Sequence, residues 1–99
     1  MKLELILKEE ARLEIIDAYQ YYESAKVGLG EIFLTHLDKC FDRMLAQPQQ
    51  FPMKRAPYRE AAVTKFPFLI IFELQEKSII VYSVFNTWRN PEKKPGEIS

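Results

Sequence analysis

Phe68-Leu69-Ile70-Ile71-Phe72-Glu73-Leu74-Gln75-Glu76-Lys77-Ser78-Ile79-Ile80-Val81-Tyr82-Ser83-Val84-Phe85 is the stretch that decides the fold. Two runs, nearly all apolar and rich in β-branched and aromatic residues, flank the polar tetrad Gln75 to Ser78. That pattern reads as two strands joined by a hairpin. Runs apolar on both faces suit central strands, covered on both sides or on one side plus a partner. With Leu74 paired to Ile79, a straight register brings Phe66 opposite Thr87.

Pro67 lacks a backbone donor and marks a turn ahead of this hairpin. Tyr58 to Thr64 alternates weakly and supplies a third strand. Gln47 to Pro57, with Pro48, Pro52 and Pro57, is a loop. Before it, Leu29, Phe33, Leu37, Cys40, Phe41, Met44 and Leu45 keep a three-four spacing, the strongest periodic signal in the chain. It predicts a helix over 29–46, ended by Pro48. Gly28 and Gly30 break it from a preceding helix over 9–24. There Glu9 and Glu10 suit the positive end of the helix dipole. Leu13, Ile16 (with Ile15) and Tyr19 recur at spacing three, with Tyr22 one turn further, and set the apolar stripe of that first helix. Lys2 to Leu7 alternates polar and apolar and reads as a short strand. The order is β-α-α-β-β-β, a helical hairpin packed on a four-stranded, mainly antiparallel sheet of the α+β class. Residues 1–90 form a single domain and 91–99, polar with Pro91 and Pro95, an irregular tail.

The chain has 99 residues, 47% of them hydrophobic, enough for one domain with one core. Cys40 is the one cysteine and cannot form an internal disulfide. Met1 to Leu7 is too short an alternation for a secretion signal. The longest apolar run, Phe66 to Phe72, contains Pro67 and is too short to span a bilayer as a helix. The expectation is a cytoplasmic protein that needs no membrane. Fourteen basic and fourteen acidic residues cancel, which argues against strong nonspecific nucleic-acid binding. The charge is uneven: residues 1–47 hold six basic and nine acidic residues, net −3, and residues 48–99 hold eight and five, net +3. An anionic partner would meet the C-terminal half.

Several pieces, in order, carry a resemblance over nearly the whole length. They are Ala11-Arg12-Leu13-Glu14-Ile15-Ile16-Asp17-Ala18-Tyr19-Gln20-Tyr21-Tyr22-Glu23 after the short strand, Gly28-Leu29-Gly30-Glu31-Ile32-Phe33, Pro48-Gln49-Gln50-Phe51-Pro52, then Arg59 ahead of Phe66-Pro67-Phe68-Leu69-Ile70-Ile71-Phe72, and Ile79-Ile80-Val81-Tyr82-Ser83-Val84-Phe85 before Arg89-Asn90-Pro91. Together they make the chain resemble the RelE/ParE toxin superfamily. The resemblance implies the toxin half of a bacterial type II toxin–antitoxin pair, of the kind linked to plasmid stabilisation. It implies a cognate antitoxin that wraps the toxin, and a target that is either DNA gyrase or the mRNA-bearing ribosome. No cofactor and no metal are expected. Family members usually carry a histidine after the last strand; Asn86 and Thr87 stand there, and the one histidine is His36 on the second helix. That departure leans toward the gyrase-poisoning ParE branch.

Four residues stand out as candidates for target or partner contact: Arg59, Lys65, Trp88 and Arg89. Arg59 offers a bidentate, permanently charged donor for a phosphate or an acidic partner residue; its bland reading is a surface arginine. Trp88 and Arg89 together suit base stacking and phosphate binding, or Trp88 closes one end of the core with its ring nitrogen at the rim. As an RNase centre, Arg59, Lys65 and Arg89 would supply cations. RNA cleavage also needs an acid and a base, and here only a strongly perturbed Lys65 would serve. Arg59 and Lys65 are six residues apart and share one phosphate only if the chain turns between them. Glu9, Glu10, Glu14 and Asp17 read as a solvated acidic helix surface. Tyr19, Tyr21 and Tyr22 read as packing, and Cys40 as a small core residue.

Overall fold

The computed structural model describes residues 2–88. A strand β1 (Glu4–Leu7) leads into α1 (Glu9–Ala25) and α2 (Leu29–Ala46). A single 3-10 turn (Pro48–Gln50) sits inside the proline loop, and β2 (Tyr58–Ala62), β3 (Phe68–Leu74) and β4 (Ser78–Asn86) follow. The strands make one sheet in the order β1-β4-β3-β2. β4 pairs antiparallel with β3, and β3 with β2; β1 joins β4 in parallel. The fold is α+β, two helices on a four-stranded mixed sheet.

α2 turns one apolar face inward, burying Phe33, Leu37, Cys40, Phe41 and Met44. They meet Ile70, Phe72, Ile79, Val81 and Val84 from the two central strands. Burying a side chain of this size contributes roughly 1.5–3 kcal/mol, so this layer dominates stability. Ile71, Ile80 and Phe85, which alternate to the other face, are also buried, in keeping with runs apolar on both sides.

The face of α1 differs from the expected stripe. Leu13 and Ile16 are 51% and 40% exposed, whereas the small Ala11 and Ala18 are buried, with Ile15 and Tyr22 packed beside the core. Residues 11, 15, 18 and 22 share one side of a 3.6-residue helix, and small residues there let α1 approach the sheet closely. Between the helices Gly28 takes φ +92°, a left-handed conformation that costs other residues strain. The Glu23 carboxylate accepts Gly28 N–H at 2.9 Å and Gly30 N–H at 3.0 Å, and so caps α2 from the preceding helix.

Leu74 pairs with Ile79, but the straight register does not persist. It shifts between Ile71, opposite Ser83, and Phe72, opposite Val81, leaving Tyr82 as one extra residue on β4. This β-bulge moves the pairing along by one, so Phe68 faces Asn86. Thr87 then donates its N–H to Pro67 O at 2.8 Å instead of facing Phe66.

Candidate functional site

Arg59 lies on β2 opposite Phe72, on the face that packs under the helices, as its neighbour Ala61, two positions on, is core. Its Nη1 donates to Phe51 O at 2.8 Å, and its Nε is buried without a partner. The Phe51 ring stands edge-on to Phe72 at 5.8 Å, and the Arg43 guanidinium lies 5.7 Å from the Phe51 centroid. Arg59 therefore pins the Pro48–Phe51 segment onto the core edge.

Lys65 is elsewhere. It is exposed in the turn from β2 to β3, at φ +70°, a left-handed conformation uncommon for a residue with a side chain. Val63 N–H donates to Phe68 O at 3.0 Å across this turn. Thr87 binds Pro67 O from the other side with both its N–H, at 2.8 Å, and its hydroxyl, at 3.1 Å. Lys65 and Trp88 thus share one end of the sheet. Trp88 is 82% exposed and does not close the core. That end is closed by Phe66, whose ring packs against Tyr22, Phe33 and His36. Arg89 lies outside the described residues. Lys65 and Trp88 stand at the same end of the sheet, and Arg59 lies apart from them on the edge strand β2, facing the core.

Two polar pairings had no herald in the sequence. Glu14 is not part of a solvated acidic surface: its Oε1 accepts both Ser83 Oγ–H and Val84 N–H, each at 2.8 Å. Burial pushes its carboxyl above the usual carboxylate range, against the opposing pull of those two hydrogen bonds. Tyr82, at the bulge, donates its hydroxyl to Glu73 at 2.7 Å and stands edge-on to Tyr58 at 5.4 Å. The carboxylate partner holds the Tyr82 phenol up at about 12, so it keeps its proton at neutral pH. Burial likewise pushes the Cys40 thiol up, which suits a core residue rather than a nucleophile. Of the three helix tyrosines, Tyr22 packs among Phe33, Phe66 and Phe68, Tyr19 reaches Glu31 on α2 at 3.0 Å, and Tyr21 is exposed.

A concavity of about 790 Å³ opens at the β3–β4 hairpin end, among Leu3, Gln47, Pro48, Leu74 and Glu76. It contains none of the candidate residues and lies at the opposite end of β3 from Lys65. Among the described residues no helix is long and apolar enough to cross a membrane, and no three His, Cys, Asp or Glu side chains cluster as metal ligands.

No protein-family model matches the sequence, and no curated protein matches it. Among solved structures, the chain is similar to a chain of the chromosomal ParDE TA system from P. aeruginosa. The superposition has a TM-score of 0.74 at 14% identity and covers 85% of this chain and 95% of that one. At that identity the likeness shows the fold: the same arrangement of helices and strands over nearly the whole of both chains.

Proposed function

We propose that this chain is the toxin of a bacterial type II toxin–antitoxin pair, acting in the cytoplasm and neutralised by a cognate antitoxin. The observation that carries the reading is the fold shared over 95% of a ParDE-system chain. It agrees with the independent resemblance of the sequence motifs. Within that class the target is DNA gyrase, inhibited by surface contact rather than by chemistry. Arg59, on which an RNase centre would depend, donates Nη1 to Phe51 O, has its Nε buried and sits apart from Lys65. Tyr82 stays protonated and offers no base near neutral pH. The target surface on this reading is the end of the sheet where Lys65 and Trp88 are exposed, offering a cation and an indole to an anionic or aromatic partner; Arg89, next in sequence, stays a candidate contact.

Purified gyrase assayed for supercoiling tests this directly. Added chain lowers supercoiling, and the antitoxin restores it. Growth arrest on induction without gyrase inhibition, accompanied by codon-linked mRNA ends, would replace the gyrase reading with a ribosome-dependent mRNA interferase. Unchanged growth on induction would leave only an antitoxin-binding role.

A further inference from the structure

The two edges of the sheet are finished differently. On β2 two of the outward amides are taken within the chain: Tyr58 N–H donates to Arg55 O at 2.7 Å and Glu60 N–H to Pro52 O at 3.1 Å. β1 has no such cover among the described residues. Glu4 N–H donates to Lys77 O and Lys8 N–H to Val81 O. By strand alternation the amides of Leu5 and Leu7 therefore face away from the sheet. Ile6 and Leu7 are 38% and 37% exposed. An open edge of this kind templates pairing with another strand.

The side chains specify which strand. Leu5 packs against the core, so Glu4, Ile6 and Lys8 alternate to the opposite face, where Glu4 and Lys8 are exposed. Neither is in a salt bridge among the described residues. A two-fold axis through Ile6 places Leu5 against Leu7 of a second copy, a hydrogen-bonded pair whose amides both already point outward. Ile6 then meets Ile6 at a close non-hydrogen-bonded position, and Glu4 meets Lys8 on both sides of the axis. Moving the axis to Leu5 instead sets Lys2 against Lys8 and Glu4 against Ile6, which loses both ion pairs. We infer that the β1 edge is a surface for a second copy of this chain. Two protomers join β1 to β1, antiparallel and centred on Ile6, into one continuous sheet. A single strand pair buries far less than the roughly 1,600 Å² of a standard interface, so association is weak and appears only at high protein concentration.

Sedimentation velocity of the full chain over a concentration series reads this out. Wild type shows a concentration-dependent dimer, and Glu4→Lys or Lys8→Glu each weakens it about tenfold, since both ion pairs become like-charge pairs. An equimolar mixture of the two variants recovers association, because every 4–8 pair is then of opposite sign. Amide exchange in wild type slows with concentration at Leu5 and Leu7 and stays constant at Ile6, a readout that stands even if a variant fails to fold. The inference is overturned by a wild type that remains monomeric to about 1 mM, or by a dimer indifferent to both variants. It is equally overturned by a mixture that stays monomeric, or by protection of Leu5 and Leu7 that appears only when a different protein is added.

Discussion

Glu14, on α1, accepts the backbone N–H of Val84 at 2.8 Å across 70 residues of sequence. β1 pairs with β4 only as far as Val81, so beyond that point β4 loses its neighbour on that side. The Glu14 carboxylate takes the place of the missing strand for one residue, and Ser83 adds a second hydrogen bond.

Replacing Glu14 by alanine leaves a buried amide unsatisfied and costs about 1–3 kcal/mol. Glu14→Gln keeps an acceptor and costs less. Urea midpoints measured side by side check this; equal losses for the two variants would show that packing, not the acceptor, matters.

The same residue sets a pH dependence. Because burial raises its carboxyl, the folded chain holds this proton at pH values where the unfolded chain has released it. Stability from this group therefore grows as pH falls from the raised native value towards the ordinary carboxylate range, and declines on the way back up. The stability difference between wild type and Glu14→Gln, in which other carboxylates cancel, should shift in favour of wild type as pH falls from neutral towards the ordinary carboxylate range. A flat difference would mean that the site is wetter than its burial indicates.

Because Glu73 accepts its hydroxyl proton, the Tyr82 phenol is pushed up to about 12, above an ordinary phenol. In a spectroscopic titration of the folded chain the Tyr82→Phe variant loses a late component of the phenolate signal. Its native phenol keeps a proton that the unfolded chain loses near pH 10, so this residue's stabilising contribution fades as alkaline pH is approached from that value upward. No change in the late component would remove the Tyr82–Glu73 bond from the account.

Glu23→Ala frees the Gly28 and Gly30 amides that open α2 and should lower stability by about 1–2 kcal/mol, the range for losing an N-cap acceptor. Thermal unfolding measures it. A neutral result would mean that water replaces the carboxylate without loss.

Arg59 and Trp88 should separate in their effects. Arg59→Ala releases Phe51 O and the proline loop, costing about 1–3 kcal/mol of stability. Trp88→Ala and Lys65→Ala, at exposed positions, should change stability by less than about 0.5 kcal/mol and weaken inhibition of the target. If Trp88→Ala and Lys65→Ala leave inhibition intact, the target surface lies elsewhere.

Much of this was legible in the residues. The three-four spacing from Leu29 to Leu45 and the two apolar runs at 68–74 and 79–85 gave elements whose bounds match α2, β3 and β4 to within one residue. α1 was legible as a helix, yet its face was not. It carries apolar residues on both sides, and the buried positions are the small Ala11 and Ala18, which periodicity weights least. The bulge leaves no mark in composition, because Val81, Tyr82 and Ser83 all suit a strand. Glu14 looks like any helix carboxylate, since its partners are supplied by chain folding alone. Arg59 did carry a signal: period two sets it with Ala61 and Val63, both buried, which places it on the core face of β2.

Val81 and Val84 both join the core cluster although they stand three positions apart, a spacing that strict alternation forbids. The additional residue at Tyr82 therefore acts as a frame change within β4: one phase serves the half beside β1, the other the half beyond it. Deleting a single residue there would swap inside for outside along the whole terminal half, while a compensating insertion a few positions later would restore it. Length, more than chemistry, is thus the property of this segment on which the placement of its side chains depends.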